Sequence, residues 1–229
     1  MNIFYTDTFT DTATDLIANH IKSSLVTNQH FVLGLSGGNT PKPIYEELAK
    51  IDDIDWSKVF IIFSDERTVA VDHEDSNYKM ADEHLLSRIK IDQANILRMK
   101  GELEANQAAK DYEEQLSTLQ KRLSLNELRP DLLLLGLGAD SHTASLFPDT
   151  LALDENKRLC VANEVPQLET TRITLTYSII NSSKEILFLV SGKNKQPVVK
   201  KVISGDNSPA AKVNSINGST TWLLDWLPN

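Results

Sequence analysis

Short, uninterrupted apolar runs alternate with helical segments along this chain, and this alternation limits its fold more than any other feature. The runs are rich in β-branched and other apolar residues and read FVLGLS, VFIIFS, DLLLLG, RLCVA, RITLT and EILFLV. A strand without polar positions is covered on both faces, as in a parallel sheet. We therefore predict a doubly wound α/β fold, with a mainly parallel sheet and helices on both faces.

The segments between the runs have the apolar spacing of amphipathic helices. An opening helix is predicted from Thr12 onward, with Thr12 and Asp15 as its capping box. The other helices are predicted over residues 41–50, 76–89, 104–125 and 193–203. No linker or internal repeat divides the chain, and 229 residues lie within the range of one α/β domain. We predict a single domain, 1–229.

Composition argues against several classes of partner. The net charge of -9 and the pI near 5.0 disfavour a broad surface for nucleic acids or anionic membranes. A local cluster of donors can still bind one phosphate in an acidic protein. Cys160 is the single cysteine, which suits a reducing compartment, and the amino terminus does not resemble a secretory signal. We predict a cytoplasmic protein without nucleic-acid or membrane partners.

The first candidate site is the loop that follows the run FVLGL. Ligands of doubly wound sheets bind outside the carboxyl ends of the strands. The loop residues are Ser36, Gly37, Gly38, Asn39 and Thr40. Thr40 is predicted as the N-cap of a helix that begins at Pro41, so backbone N–H groups near this helix start favour an anion. Two alternatives remain: a tight turn without function, and a nucleophile elbow, Gly34-x-Ser36-x-Gly38, with Ser36 as the nucleophile of an esterase.

The second candidate site is the polar stretch SDERTVAVDHEDSNY, which follows the run VFIIF. Asp65 and Arg67 lie directly after the strand, where they belong either to a site or to a structural ion pair. His73 stands among acidic residues, but these neighbours lack the spacing of metal ligands on a helix. We predict no metal.

The third candidate site is the segment DLLLLGLGADSHTASLFP, in which a buried strand ends in glycines. His142 has a side chain suited to base chemistry near neutral pH, and Asp140 is close enough to fix its tautomer. A histidine that only caps a short following helix is the alternative. Gly136-x-Gly138-x-x-Ser141 nearly matches a dinucleotide fingerprint, but the third glycine is missing and Asp140 would repel a pyrophosphate.

Taken together, LGLSGGNTPKPIYEEL, FSDERTVAVDHEDSNYKMADEHLL, DLLLLGLGADSHTASLFPDT and RITLTYSIINSSKEILFLVSGKNK resemble the 6-phosphogluconolactonase family over most of the chain. The resemblance implies hydrolysis of 6-phospho-D-glucono-1,5-lactone to 6-phospho-D-gluconate, in the oxidative pentose phosphate pathway, without metal or cofactor. It implies that the Ser36-Gly37-Gly38 loop, Arg172 and Lys195 hold the phosphate. Asp65 and Arg67 would line the sugar pocket, and His142 would be the general base, with Asp140 beside it.

Two positions qualify this resemblance. The family usually has glycine where this chain has Ser141, so a left-handed backbone there would carry a cost. The related glucosamine-6-phosphate deaminases carry glutamate where this chain has Phe147, which favours hydrolysis over isomerisation. A deaminase-like isomerase and a non-catalytic phosphosugar-binding domain are the alternatives. The partner expected in each case is a small phosphosugar, with the chain as a monomer or small homo-oligomer.

Overall fold

The structure, a computed structural model, describes residues 1–226, so the last three residues of the predicted domain lie outside it. The strands are β1 Asn2–Tyr5, β2 Phe31–Leu35, β3 Val59–Phe63, β4 Asp65–Arg67, β5 Leu132–Leu135, β6 Cys160–Val165, β7 Thr170–Leu175, β8 Glu185–Val190 and β9 Ser219–Leu224. The α-helices are α1 Phe9–Thr27, α2 Pro41–Leu48, α3 Asn77–His84, α4 Ala105–Arg122, α5 Tyr177–Ser182 and α6 Gln196–Ile203.

Six strands form one parallel sheet in the order β1-β9-β8-β5-β2-β3. The chain leaves β2 toward β3 on one side and returns through β5 on the other. The topological switch point therefore lies between β2 and β5, where ligands of doubly wound sheets bind. The predicted fold class is confirmed.

Alternate residues of the central strands enter two separate cores. Leu132 and Leu134 of β5 pack with α1, α2 and α3, whereas Leu133 and Leu135 pack with α4, α5 and α6. All four leucines are buried, because helices cover both faces of the sheet. This double coverage is the physical reason that the strands read as unbroken apolar runs.

We predicted from their composition that the runs RLCVA and RITLT belong to the parallel sheet, and this prediction is wrong. They fall in β6 and β7, which pair antiparallel with each other, and β7 pairs antiparallel with β4. Only the short turn 166–169 joins β6 to β7, which is too short for the crossover that parallel strands require. Their apolar side chains, including Cys160 and Ile173, pack into the core with α4.

Several boundaries differ from the predictions. Helix α1 begins one turn earlier, at Phe9, so Thr12 lies inside the helix and the predicted capping box is wrong. Thr40 precedes α2 but its hydroxyl caps no backbone N–H. The segment after His142 forms turns and one bridge, Thr143 to Leu146, rather than a helix. The strands β1, β4 and β9 and the helix α5 were not predicted.

Four predicted helices are shorter than expected. The helix predicted over 41–50 ends at Leu48. The segments 76–89 and 193–203 each contain a 3-10 turn beside a shorter α-helix, and α4 ends at Arg122. Within the described residues, no helix is long and apolar enough to cross a membrane.

We expect Leu133→Ala to destabilise the protein strongly, because Leu133 is 0% exposed in the middle of β5. Loss of a fully buried leucine side chain lowers the free energy of unfolding by about 2–5 kcal/mol. Leu151→Ala is the matched control, since Leu151 is 88% exposed and its loss should change stability by less than about 0.5 kcal/mol. Urea unfolding followed by fluorescence measures both, and equal effects would contradict the assigned core.

Candidate active site

A cavity of about 420 Å³ lies at the carboxyl ends of β2, β3, β5 and β8. It is lined by ten of the eleven site residues expected from the sequence: Ser36, Gly37, Gly38, Asn39, Thr40, Asp65, Arg67, His142, Arg172 and Lys195. The eleventh, Asp140, bonds to His142 and lies in the wall of a neighbouring cavity of about 800 Å³. Tertiary structure thus brings all three candidate loops together.

His142 and Asp140 form a hydrogen-bonded pair at the end of the loop after β5. Nδ1 of His142 lies 2.5 Å from Oδ1 of Asp140, and the backbone N–H of His142 donates to the same oxygen. Partial burial raises the pKa of Asp140, but the charge and hydrogen bonds of His142 outweigh burial and lower it overall. An ionised carboxylate only accepts hydrogen bonds, so Nδ1 carries the proton and Nε2 of a neutral ring is free to accept one.

The loop that carries this pair is held in an unusual backbone conformation. Ser141, Ala144 and Asp149 all have left-handed φ values, of 69°, 48° and 61°. The N–H of Gly138 donates to the carbonyl of His142 at 2.8 Å, which closes the turn. Phe147 stacks on the imidazole with ring centroids 4.0 Å apart. Backbone strain of this kind persists where the surroundings fix it, as they do around many active sites.

The loop after β2 presents backbone donors to the cavity. Among the described residues, the N–H groups of residues 37–40 have no protein acceptor, whereas the N–H of Ser36 donates to the hydroxyl of Tyr45. The backbone donors of this loop that have no protein acceptor therefore begin at Gly37. A role for Ser36 in holding the phosphate stays a prediction. In the described part of the chain, no hydrogen bond joins the Ser36 hydroxyl to His142, so the arrangement lacks the nucleophile–base contact of an esterase elbow.

Three cations face the same cavity. Arg67 and Arg172 are directly opposite each other on β4 and β7, and the salt bridges of the described residues include neither. Burial, followed by the neighbouring charge of Arg67, lowers the pKa of Arg172. Lys195 donates to the carbonyl of Leu137 at 2.9 Å, which leaves two of its three N–H donors available. Like charges placed opposite each other are destabilising, unless an anion lies between them.

Asp65 lies at the base of the cavity and accepts hydrogen bonds from Ser145 at 2.6 Å and from Ser64 at 3.1 Å. The buried side chain of Asn77 also lines the cavity. Sequence reasoning missed Ser145 and Asn77. Each is a small polar residue with polar neighbours, so no signal in the sequence singled it out. Only the hydrogen bond to Asp65 in the folded protein distinguishes it.

His73 lies outside the cavity, where Nδ1 accepts from the N–H of Asp75. Among residues 1–226, no group of three or more His, Cys, Asp or Glu side chains has the arrangement of a metal site.

The fold and site define an α/β protein with a cavity at the switch point of its sheet that is lined by cations and backbone N–H donors. The family model of glucosamine-6-phosphate isomerases/6-phosphogluconolactonase matches residues 5–222. A 6-phosphogluconolactonase of Synechocystis sp. is 38% identical over 91% of this chain and 88% of its own, and one of Nostoc sp. is 37% identical over 92% and 88%. A crystal structure of 6-phosphogluconolactonase from Thermotoga maritima superposes with a TM-score of 0.88, at 28% identity, over 97% of this chain and 98% of that one.

The chain therefore belongs to the glucosamine-6-phosphate isomerase/6-phosphogluconolactonase family. The resemblance drawn from its sequence segments is confirmed. The comparisons do not test the roles of individual site residues, which stay predictions.

We expect Ser141→Gly to stabilise the protein. A left-handed conformation costs an L-residue about 1–2 kcal/mol, and the greater freedom of glycine in the unfolded chain offsets about 0.5–1 kcal/mol of that gain. Ser141→Ala keeps the strain and removes the hydroxyl, so it is the matched control and should give no gain. The measurement is urea unfolding of both variants. A glycine variant less stable than the alanine variant would contradict this account of the loop.

Proposed function

We propose that the protein hydrolyses 6-phospho-D-glucono-1,5-lactone to 6-phospho-D-gluconate, as the names of its relatives suggest, within the oxidative pentose phosphate pathway. The observation that carries the proposal is the 2.5 Å contact between Nδ1 of His142 and Asp140. It keeps the proton on Nδ1, so that Nε2 can accept a proton, and the same cavity contains hydrogen-bond donors and cations that can bind an anion. Neither a metal nor an organic cofactor is part of the proposed chemistry.

His142 is the general base in this mechanism. Nε2 accepts a proton from a water molecule as the water oxygen attacks the C1 carbonyl of the lactone. The imidazolium that forms is stabilised by the carboxylate of Asp140 across the same hydrogen bond. When the tetrahedral intermediate collapses, the bond between C1 and the ring oxygen breaks, and the imidazolium returns its proton to that oxygen. The product is an open-chain acid, and His142 is again neutral.

The phosphate end of the substrate is held by the opposite side of the cavity. Backbone N–H groups of residues 37–40, the guanidinium of Arg172 and the ammonium of Lys195 together neutralise a dianion. Arg67 and Asp65 line the space between the phosphate and His142, where they are placed to bind sugar hydroxyls. A substrate anchored by its phosphate presents C1 to the base in a fixed orientation, which is a large part of the barrier reduction for such a reaction.

Phe147 supports hydrolysis over the deaminase-like alternative. It is buried and its ring stacks on His142, at the position where the resemblance places a glutamate in the deaminases. A phenyl ring offers no group that exchanges protons, so isomerisation of an aminosugar lacks its second acid–base residue. The stacked ring instead restricts the imidazole to one orientation.

We expect His142→Ala to lower kcat by about 10²- to 10⁴-fold, the usual contribution of a general base. The assay generates the lactone in situ, couples the product to its dehydrogenase and contains EDTA. Binding of 6-phosphogluconate should change little, because His142 does not contact the phosphate in this mechanism.

His20→Ala is the control for this experiment, since His20 lies on α1, outside the lining of the cavity. Full turnover in His142→Ala would refute the assignment of the base. A wild-type rate no higher than spontaneous hydrolysis would refute the proposed reaction itself.

We expect Arg172→Ala to raise KM by about 10-fold or more, because loss of a hydrogen-bonded charge partner costs about 1.5–3 kcal/mol of binding. The change in kcat should be smaller, since the chemistry takes place at the other end of the substrate. Arg88→Ala, which removes an exposed arginine outside the cavity, is the matched control. Steady-state kinetics of both variants measure the effect. Equal KM values would exclude Arg172 from the phosphate site.

A further inference from the structure

Asn77 joins two of the loops that form the cavity. It is the first residue of α3, its side chain is 2% exposed, and it lines the cavity. Its Nδ2 donates to the backbone carbonyl of Asp65 at 2.9 Å, and it lies 3.4 Å from the carboxylate of the same residue. The side chain is therefore tied to the loop that carries Asp65 and Arg67.

The other side of Asn77 faces Gly37 of the anion-binding loop, residues 37–40. A Cβ atom added to Gly37 would lie 1.9 Å from Oδ1 of Asn77, far inside any van der Waals contact. Gly38 differs, because it has a left-handed φ of 89° and a Cβ there would meet nothing within 4 Å. Glycine is thus required at 38 by backbone conformation and at 37 by the close approach of Asn77.

Glu66 fixes the position of Asn77. Its carboxylate accepts from the backbone N–H groups of Asn77 at 2.7 Å and Tyr78 at 2.8 Å, which are unpaired donors of the first turn of α3. It also accepts from the N–H of Arg67 and the hydroxyl of Ser76. Burial raises the pKa of Glu66, although these backbone hydrogen bonds oppose the effect. One side chain therefore joins the end of β4 to the start of α3.

We propose that Asn77, held by Glu66, is a positioning residue that sets the distance between the anion-binding loop and the strand end that carries Asp65 and Arg67. The inference rests on the proposed function, since it assigns this distance to binding of the phosphosugar. Asn77 acts on the loop through its contact with Gly37. It has no contact with His142 or Asp140 in the described residues, so the proton-transfer step is left to that pair.

The experiment is a double-mutant cycle on Asn77→Ala and Gly37→Ala. Each single variant should raise KM by about tenfold while kcat changes by less than about threefold, because the loop moves and the base does not. In Gly37→Ala/Asn77→Ala the added methyl group fills the space left by the amide. The double variant should therefore be no worse than either single variant, whereas independent effects would multiply.

Asn95→Ala is the matched control, because Asn95 is also 2% exposed and donates to a backbone carbonyl, that of Ser57, outside the cavity. It should lower the melting temperature as Asn77→Ala does but leave KM unchanged. If Gly37→Ala does not fold, the comparison of Asn77→Ala and Asn77→Ser with Asn95→Ala decides the question. An unchanged KM in both Asn77 variants, a loss confined to kcat, or multiplicative effects in a folded double variant would overturn the proposal.

Calorimetric binding of 6-phosphogluconate to the same variants separates this inference from the proposed reaction. A wild-type protein that binds the phosphosugar but does not hydrolyse the lactone would refute the reaction, and the dissociation constants of the Asn77 variants would then replace KM in the cycle. A tenfold weakening in Asn77→Ala that is absent in Asn95→Ala would support the positioning role. A wild-type protein that binds no phosphosugar would refute both.

Discussion

The site depends on a sheet whose six strands all run in one direction and are covered on both faces. Parallel strands place their carboxyl ends at one edge, and helices in both cores close the faces, so the loops that follow β2, β3, β5 and β8 meet at that edge. Loops separated by about a hundred residues in the sequence thereby line one cavity. The small antiparallel sheet adds Arg172 from the side, beside Arg67.

Two kinds of chemical group line the cavity. One is a histidine that is hydrogen-bonded to a carboxylate and stacked on Phe147, on a loop with left-handed backbone residues. The other is a set of backbone donors and cations. Asp65 and Asn77 line the same cavity and are buried and hydrogen-bonded. In the proposed function, the backbone donors and cations hold the substrate by its anionic group and leave the reacting carbonyl to His142.

Much of the fold could be predicted from the sequence, because the spacing of apolar residues along strands and helices is a local property of the chain. The apolar runs of β2, β3, β5 and β8 occur where they were predicted, and helices occur near the predicted segments, with different boundaries. The strands β1 and β9 were missed, because the edge strand β1 has only four residues, most of them exposed, and β9 begins with polar residues. The pairing of β6 with β7 was also missed, since an apolar strand in a small antiparallel sheet has the same composition as one in a parallel sheet when α4 covers it.

The sequence by itself determined the fold class, the three loops and the residue types of the site, because glycine-rich turns, strand-end charges and the histidine segment are local patterns. Only the tertiary structure decided which residues meet. In the folded protein, Arg67 lies opposite Arg172 on neighbouring strands, and the N–H of Ser36 donates to the hydroxyl of Tyr45. The side chain of Asn77 lies close to Gly37. Two of these contacts join residues far apart in the chain, and the third joins a strand end to the next helix. Their geometry follows from the packing of whole strands and helices rather than from any local preference.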